Sequence, residues 1–297
     1  MIVLDDAAVR RALTPRAAVD AVRATLAAQH AGGLSAPPRV PVPLAGGDLV
    51  FTAGRVAGVG YGFRVYDTMP TTGADQVTVV FDDRTGEVLG AAVGTWLGAA
   101  RTGAIGAVAV DLLADPAAAT VGLVGTGTQA WSQLWALRAV RSLREVRVHS
   151  RDRGRRERFA HRCRAELDLA ASPVGEAREA VEEADLVVLA TNSGTPVIEA
   201  DWVRPGSHVT TVGPKETGRH ECPVALAARA GLIATDSLDQ VDRYAHPYFL
   251  TGTPDRARMV SLAAVQAGGV ARPDATTLFC SVGLAGTDVA VAATLFT

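Results

Sequence analysis

Thr120-Val121-Gly122-Leu123-Val124-Gly125-Thr126-Gly127-Thr128-Gln129-Ala130 reads as a buried strand, a glycine turn and the start of a helix running to about Leu143. Gly125, Gly127 and Ala130 supply G-x-G-x-x-A. The first glycine permits the sharp turn, the second lets a pyrophosphate approach the backbone, and the small third residue lets helix and strand pack closely. The helix then aims its free N–H groups and the positive end of its dipole at the phosphates. A strand-to-helix turn that binds nothing would share these glycines. The strand before them and the helix after them favour a dinucleotide site.

The next strand, Glu145 to His149, ends in Ser150-Arg151-Asp152. An NAD site usually places an acid at that strand end to hold the ribose diol. A hydroxyl and a guanidinium suit a 2′-phosphate better. NADP(H) is therefore the expected cofactor, with NAD(H) possible because Asp152 leaves an acid close by.

Alternation continues C-terminally. Asp185 to Ala190 is a buried strand ending in Thr191-Asn192, and Ser207 to Val212 another ending in Gly213-Pro214-Lys215. Gly231 to Thr235 and Thr277 to Val282 complete a doubly wound α/β sheet whose carboxyl-end loops face the cofactor. The expected cofactor-binding set is Thr102, Gly125, Thr126, Gly127, Thr128, Gln129, Ser150, Arg151, Thr191, Asn192, Val212, Gly213 and Val282.

Upstream the pattern differs. Residues 1 to about 31 form a helical cap, with Thr14-Pro15 as N-cap and first helical residue. A proline-rich extended stretch follows, then four β-rich runs between Asp48 and Val93 broken by glycines, which read as an antiparallel sheet. In Gly60–Asp67, alternation puts Tyr61, Phe63 and Val65 on one face and Arg64 with Tyr66 on the other. After Trp96 comes a small-residue helix to about Leu113, with Arg101 and Thr102 expected at its N-terminus as an anion site. Asp115-Pro116 marks the boundary with the dinucleotide half. Gly286 to Phe296 is a helix, with Asp288 near its start, that returns to the first part. The domains are thus residues 1–114 plus 283–297, for substrate and dimerisation, and an inserted Rossmann unit, 115–282. No helix is assigned to one face of the first sheet, so a symmetric dimer through residues 40–95 is expected.

Composition narrows the function. Of 297 residues, 48% are hydrophobic and 20% charged, with net charge −2, as in ordinary globular enzymes. That balance, with aromatics at 5%, argues against a nucleic-acid partner. Arg101 interrupts the apolar run from Gly90 to Val110, which argues against a membrane span. Cys163, Cys222 and Cys280 are too dispersed for a metal site, so none is expected, and a reduced, cytoplasmic setting fits them. The N-terminus lacks a signal-peptide core. Lys215 is the sole lysine among 29 basic residues, which draws attention to it as a titratable amine.

Arg39 after the prolines, Arg64 on a strand and Arg101 at a helix start can converge. Beside a nicotinamide, such a cluster suits a small carboxylate substrate held bidentately. Three cations so close repel one another, so an anion is expected among them. His246, in Tyr-Ala-His-Pro-Tyr, reads as a loop residue that could reach the pocket.

The order Pro-Pro-Arg (37–39), Asp-x-x-Thr-Gly (82–86), Ala-Arg-Thr-Gly-Ala (100–104), Gly-Thr-Gly-Thr-Gln-Ala (125–130) and Ser-Val-Gly-Leu-Ala-Gly-Thr-Asp (281–288) resembles the ornithine cyclodeaminase/mu-crystallin family. The resemblance implies an NAD(P)-dependent homodimer acting as an amino-acid dehydrogenase, an imine or ketimine reductase, or a cyclodeaminase. It makes Arg39 and Arg101 carboxylate-binding residues and puts Arg64 where the family usually has lysine. Cyclodeaminases carry an aspartate after the glycines following the fifth Rossmann strand; here the chain reads Gly213-Pro214-Lys215-Glu216. Hydride transfer at the α-carbon of an amino or imino acid is therefore the expected reaction. Arg39, Arg64 and Arg101 are the substrate-binding residues, and Arg64 and Lys215 the catalytic candidates. An ammonia lyase and a non-catalytic NADPH binder are the alternatives.

Overall fold

A computed structural model describes residues 1–69, 75–244 and 246–296. Thr297 in the expected first domain, residues 70–74 in the expected dimer stretch and Ala245 beside His246 lie outside the described residues.

The first sheet contains β1 (Ile2–Leu4), β2 (Leu34–Ser35), β3 (Val40–Leu44), β4 (Gly47–Val56), β5 (Gly60–Asp67), β6 (Val77–Phe81) and β7 (Val88–Val93). Its order is β1-β7-β6-β5-β4-β2, with β3 also paired to β4. All pairings are antiparallel except β1 on β7. Three of these strands, β1, β2 and β3, were not expected. Residues 2–4 join a sheet rather than a helical cap, and the proline segment pairs as β3, whose Pro41 and Pro43 are tolerated at an edge.

Register gives the two sheet faces opposite character. Thr52, Arg64, Thr78 and Ala92 lie in one row across β4 to β7 and are buried. The other face carries Phe51, Tyr61 and Val77, all partly exposed, with Tyr61 stacked on Phe81.

Helices α1 (Asp6–Ala12), α2 (Pro15–His30) and α3 (Trp96–Leu113) flank this sheet. Thr14 caps α2 by accepting from Ala17 N at 3.1 Å. Helix α3 is long and apolar enough to cross a membrane, yet most of it is buried in the protein core. It starts at Trp96 because Asp6 on α1 accepts the Trp96 N–H at 2.6 Å. Arg101 is therefore the sixth residue of the helix, not its N-terminus, which corrects the sequence expectation.

The second sheet contains β8 (Thr120–Val124), β9 (Glu145–His149), β10 (Ala171–Pro173), β11 (Leu186–Leu189) and β12 (His208–Thr211). A small hairpin, β13 (Lys215–Glu216) and β14 (Arg219–His220), precedes β15 (Leu232–Thr235), β16 (Met259–Ser261) and β17 (Thr277–Cys280). The large sheet runs β10-β9-β8-β11-β12-β17-β15-β16, all parallel, which is the doubly wound arrangement. Helix α4 (Thr128–Leu137) stops short of Leu143 because the next residues tighten into i→i+3 bonds, Ala139 N to Ala136 O and Val140 N to Leu137 O. Helix α5 (Arg153–Leu167) follows β9. The shorter helices are α6 (Ala177–Val181), α7 (Val224–Arg229), α8 (Leu238–Asp242), α9 (Pro254–Ala257) and α10 (Leu262–Gln266).

The last helix, α11 (Thr287–Ala293), lies on the buried face of the first sheet. A Cβ on Gly54 of β4 would stand 2.4 Å from Gly286 N, so only glycine lets this helix approach. That approach brings Asp288 to Arg64.

Candidate active site

The turn after β8 opens a cavity of about 740 Å³ at the carboxyl ends of the parallel strands. Gly125 has φ +118°, and a Cβ there would lie 2.2 Å from the Ala190 carbonyl, so backbone geometry demands glycine. Gly127 differs: nothing lies within 4 Å of where its Cβ would be. That open space fronts the start of α4, whose cap position carries no side-chain hydrogen bond. The free N–H groups of that first turn suit a pyrophosphate, and the residues present fit a dinucleotide.

Of the expected cofactor residues, Gly125, Thr126, Gly127, Thr128, Gln129, Ser150, Arg151, Thr191, Asn192, Val212 and Gly213 line this cavity. Arg155, which was not singled out, lines it too. Asp152 does not; its carboxylate caps α5 by accepting from Arg155 N at 2.7 Å. The acid that kept NAD(H) open is thus engaged as a helix cap.

Two loops of this cavity hang on one residue that the sequence reading missed. Glu221 is fully buried. It accepts from Thr191 N and Oγ1, both at 2.7 Å, from Thr211 Oγ1 at 2.9 Å, and from Val212 N and Gly213 N at 3.1 and 2.5 Å. Lys215 is buried beside it and donates from Nζ to the Gly213 carbonyl at 2.6 Å. Burial lowers the Lys215 pKa, with Glu221 opposing. Lys215 lines neither cavity and holds the Gly213 turn from behind.

A second cavity of about 520 Å³ lies between the two sheets. It shares Thr128, Gln129 and Val212 with the first, so the two adjoin. Arg39, Arg64 and Arg101 all line it, as do Thr102 and Val282. Arg39 donates to the Val282 carbonyl. Arg64 Nη1 and Arg101 Nε both donate to Asp288 Oδ1, at 2.7 and 2.8 Å. The negative charge expected among the arginines is therefore supplied in part by the chain itself. Burial alone would raise the Asp288 carboxyl, but Arg101 and then Arg64 outweigh it and hold its pKa down at about 2. Burial, opposed by Asp288 and reinforced by Arg101, lowers the pKa of Arg64; for Arg101 the carboxylate outweighs burial and raises it. The Arg64 guanidinium also sits 4.5 Å from the Tyr66 ring centre.

Asp236 fixes the cavity's far wall, its two carboxylate oxygens accepting from Val282 N at 2.8 Å and Gly283 N at 2.7 Å. His246 is exposed and lines neither cavity. Tyr244 lines the second instead, with its pKa pushed up to about 12 by burial. The signal for Asp288 lay in its place beside Gly286 at a helix start, but its arginine partners are remote in sequence.

The family model for ornithine cyclodeaminase/mu-crystallin matches residues 1–296. The chain belongs to that family. A relative from Rhizobium meliloti, named as a dehydrogenase, is 38% identical over 143 residues, 48% of this chain and 43% of that protein. The chain thus spans less than half the length of this relative. The ketimine reductase mu-crystallin of Macropus fuliginosus is 28% identical over 288 residues, 94% of this chain and 89% of its own. Among solved structures, an archaeal alanine dehydrogenase dimer with bound NAD superposes with a TM-score of 0.89 at 27% identity, covering 100% of this chain and 95% of that one.

Proposed function

We propose that this protein is an NADP(H)-dependent oxidoreductase that transfers hydride at the α-carbon of a small amino or imino acid. The observation that carries the reading is the shared wall of Thr128, Gln129 and Val212, which joins a dinucleotide-shaped cleft to a cavity holding three arginines. A ketimine reductase and an alanine dehydrogenase among the similar proteins, acting on C=N and CH–NH2 groups, support the same chemistry.

In this reading Ser150 and Arg151, with Arg155 nearby, hold the 2′-phosphate of NADP(H). Held there, the dinucleotide would supply hydride to the imine carbon or accept it from the amine. Arg39, Arg64 and Arg101 bind the substrate carboxylate, and Asp288 fixes two of those guanidiniums so their remaining N–H groups are aimed in advance. Thr191, Asn192, Gly213 and Val282 border the nicotinamide end, where Lys215 acts by holding Gly213. Arg64 is the residue of this set closest in role to the family lysine. The ammonia-releasing alternative has less support, because the residues after Gly213 bring a buried lysine and no aspartate.

Residues 1–114 with 283–297 form the substrate and dimerisation domain, and 115–282 the dinucleotide domain. The sheet face bearing Phe51, Tyr61 and Val77 packs against a second copy, an arrangement supported by the dimeric alanine dehydrogenase. Three free cysteines, all buried, favour a reducing, cytoplasmic setting.

Steady-state assays with NADPH or NADH against 2-oxo acids plus ammonium, and against cyclic imino acids, test the reaction. Arg151→Ala is expected to weaken NADPH about 10- to 100-fold and NADH little, since only the 2′-phosphate loses a charged partner. Equal losses, or a wild-type preference for NADH, would contradict the cofactor assignment. No imino-acid turnover with either cofactor would overturn the reaction.

A further inference from the structure

Gln76 sits just before β6, on the wall of the arginine cavity. Its backbone is pinned there, the carbonyl accepting from Gly94 N at 2.9 Å. Its Oε1 is shut off from solvent and, among the described residues, has no hydrogen-bond partner. The atom belongs to the crowded floor of the cavity: a Cβ on Gly98 would lie 2.8 Å from Gln76 Oε1 and 2.9 Å from Arg64 Nη1. A buried acceptor left unmade is costly, so a turn of the Gln76 side chain that brings its Oε1 to a ligand donor in the cavity it lines is rewarded.

The surroundings decide what that donor is. Guanidinium groups only donate, so Arg39, Arg64 and Arg101 take the acidic end of a ligand. The Thr102 hydroxyl already donates to the Gly98 carbonyl at 2.9 Å. An amide oxygen repels a carboxylate and accepts from N–H. We infer that Gln76 reads the substrate nitrogen, its Oε1 accepting the N–H of the amine or iminium while the arginines hold the carboxylate, so that this residue selects amino and imino acids over analogues with no donor at that position, the oxo acids and cyclic ethers. The inference rests on the proposed reaction and names the residue that sets its substrate class. A 2-oxo acid offers no donor at that position and leaves Oε1 unpaired, which is how polar sites reject near-isosteres.

The test is competitive binding to the NADP⁺-loaded protein of two pairs: proline against tetrahydrofuran-2-carboxylate, and alanine against pyruvate. The wild type is expected to favour the nitrogen member of at least one pair about 10- to 100-fold. Gln76→Met, close in size but without an amide, brings that ratio to about 1 while leaving NADP⁺ affinity unchanged. Gln76→Glu keeps an acceptor at the same reach and retains the preference. It also gives a reading should the Met protein fold poorly. A ratio unchanged in Gln76→Met, or a wild type that binds both members of each pair equally, overturns the inference and leaves hydride transfer standing. A wild type that turns over no imino acid removes the reaction and this assignment together.

Discussion

Gly125, Gly127 and Gly213 shape the glycine-lined cleft with bare backbone, whereas Arg39, Arg64, Arg101 and Asp288 shape the neighbouring cavity with charge. The cleft depends on the absence of side chains and on loops tied to Glu221. The arginine cavity depends on long side chains drawn from distant segments, two of them held by one carboxylate. A backbone-built site fails when atoms are added, and a charge-built site fails when a partner is removed.

Acid separates the two most strongly. His208 on β12, in the dinucleotide half, is fully buried between Thr277 Oγ1 at 2.8 Å and Thr210 Oγ1 at 3.0 Å. Burial, reinforced by Arg141, lowers its pKa from 6.5 to about 3. Below pH 6.5 the unfolded chain binds a proton that the folded chain refuses. Stability present above that pH is therefore lost as the pH falls towards 3, up to about 5 kcal/mol. Asp288 loses stability in the same direction but in a lower window: its carboxyl drops from 3.8 to about 2 on folding, so its contribution of about 2 kcal/mol survives until the pH falls below 3.8. Urea unfolding of His208→Gln should show a flattened stability profile between pH 6.5 and about 4 relative to the wild type. Parallel profiles would break this side of the comparison.

Asp288→Ala comes next. It strands two buried guanidiniums and is expected to cost about 3–5 kcal/mol in denaturant unfolding. A loss under about 1 kcal/mol would mean that solvent already screens the pair.

Arg101→Lys tests whether the cavity needs a fork or only a positive charge. A lysine cannot both pair with Asp288 and present a second aligned donor, so kcat/KM should fall about 100-fold with Tm changed little. Wild-type kcat/KM would reduce the cavity's demand to charge alone.

Gly127→Ala is the mildest. The added methyl meets no protein atom, so thermal stability should hold within about 0.5 kcal/mol while dinucleotide affinity falls about 10-fold. Unaltered affinity would place the pyrophosphate elsewhere.

The same contrast explains what could be read from the chain. The strand, glycine turn and helix at 120–137 are contiguous, and each residue's role follows from its neighbours. Arg39, Arg64 and Arg101 stand out by type, and alternation put Arg64 and Tyr66 on one face. Asp288 could not be paired with Arg64 because the two lie 224 positions apart. The start of α3 was misplaced for a like reason: its first N–H is capped by Asp6, 90 residues earlier, and not by a local signal. The short strand β1 gains its pairing only from β7. Glu221 lies in an unremarkable Arg-His-Glu-Cys stretch, and only folding gathers its five donors.

The late position of Asp288 also orders events on the ribosome. Arg101 emerges 187 residues, and Arg64 224 residues, before their shared carboxylate. At translation speeds of about 5–20 residues per second, that gap lasts on the order of ten to some tens of seconds. Throughout it, two cations destined for a dry interior have no partner and stay in water. The first sheet, though made first, cannot close its inner face, while every strand of the parallel sheet precedes Asp288. The nascent chain thus completes its parallel-sheet half before its earliest-made half.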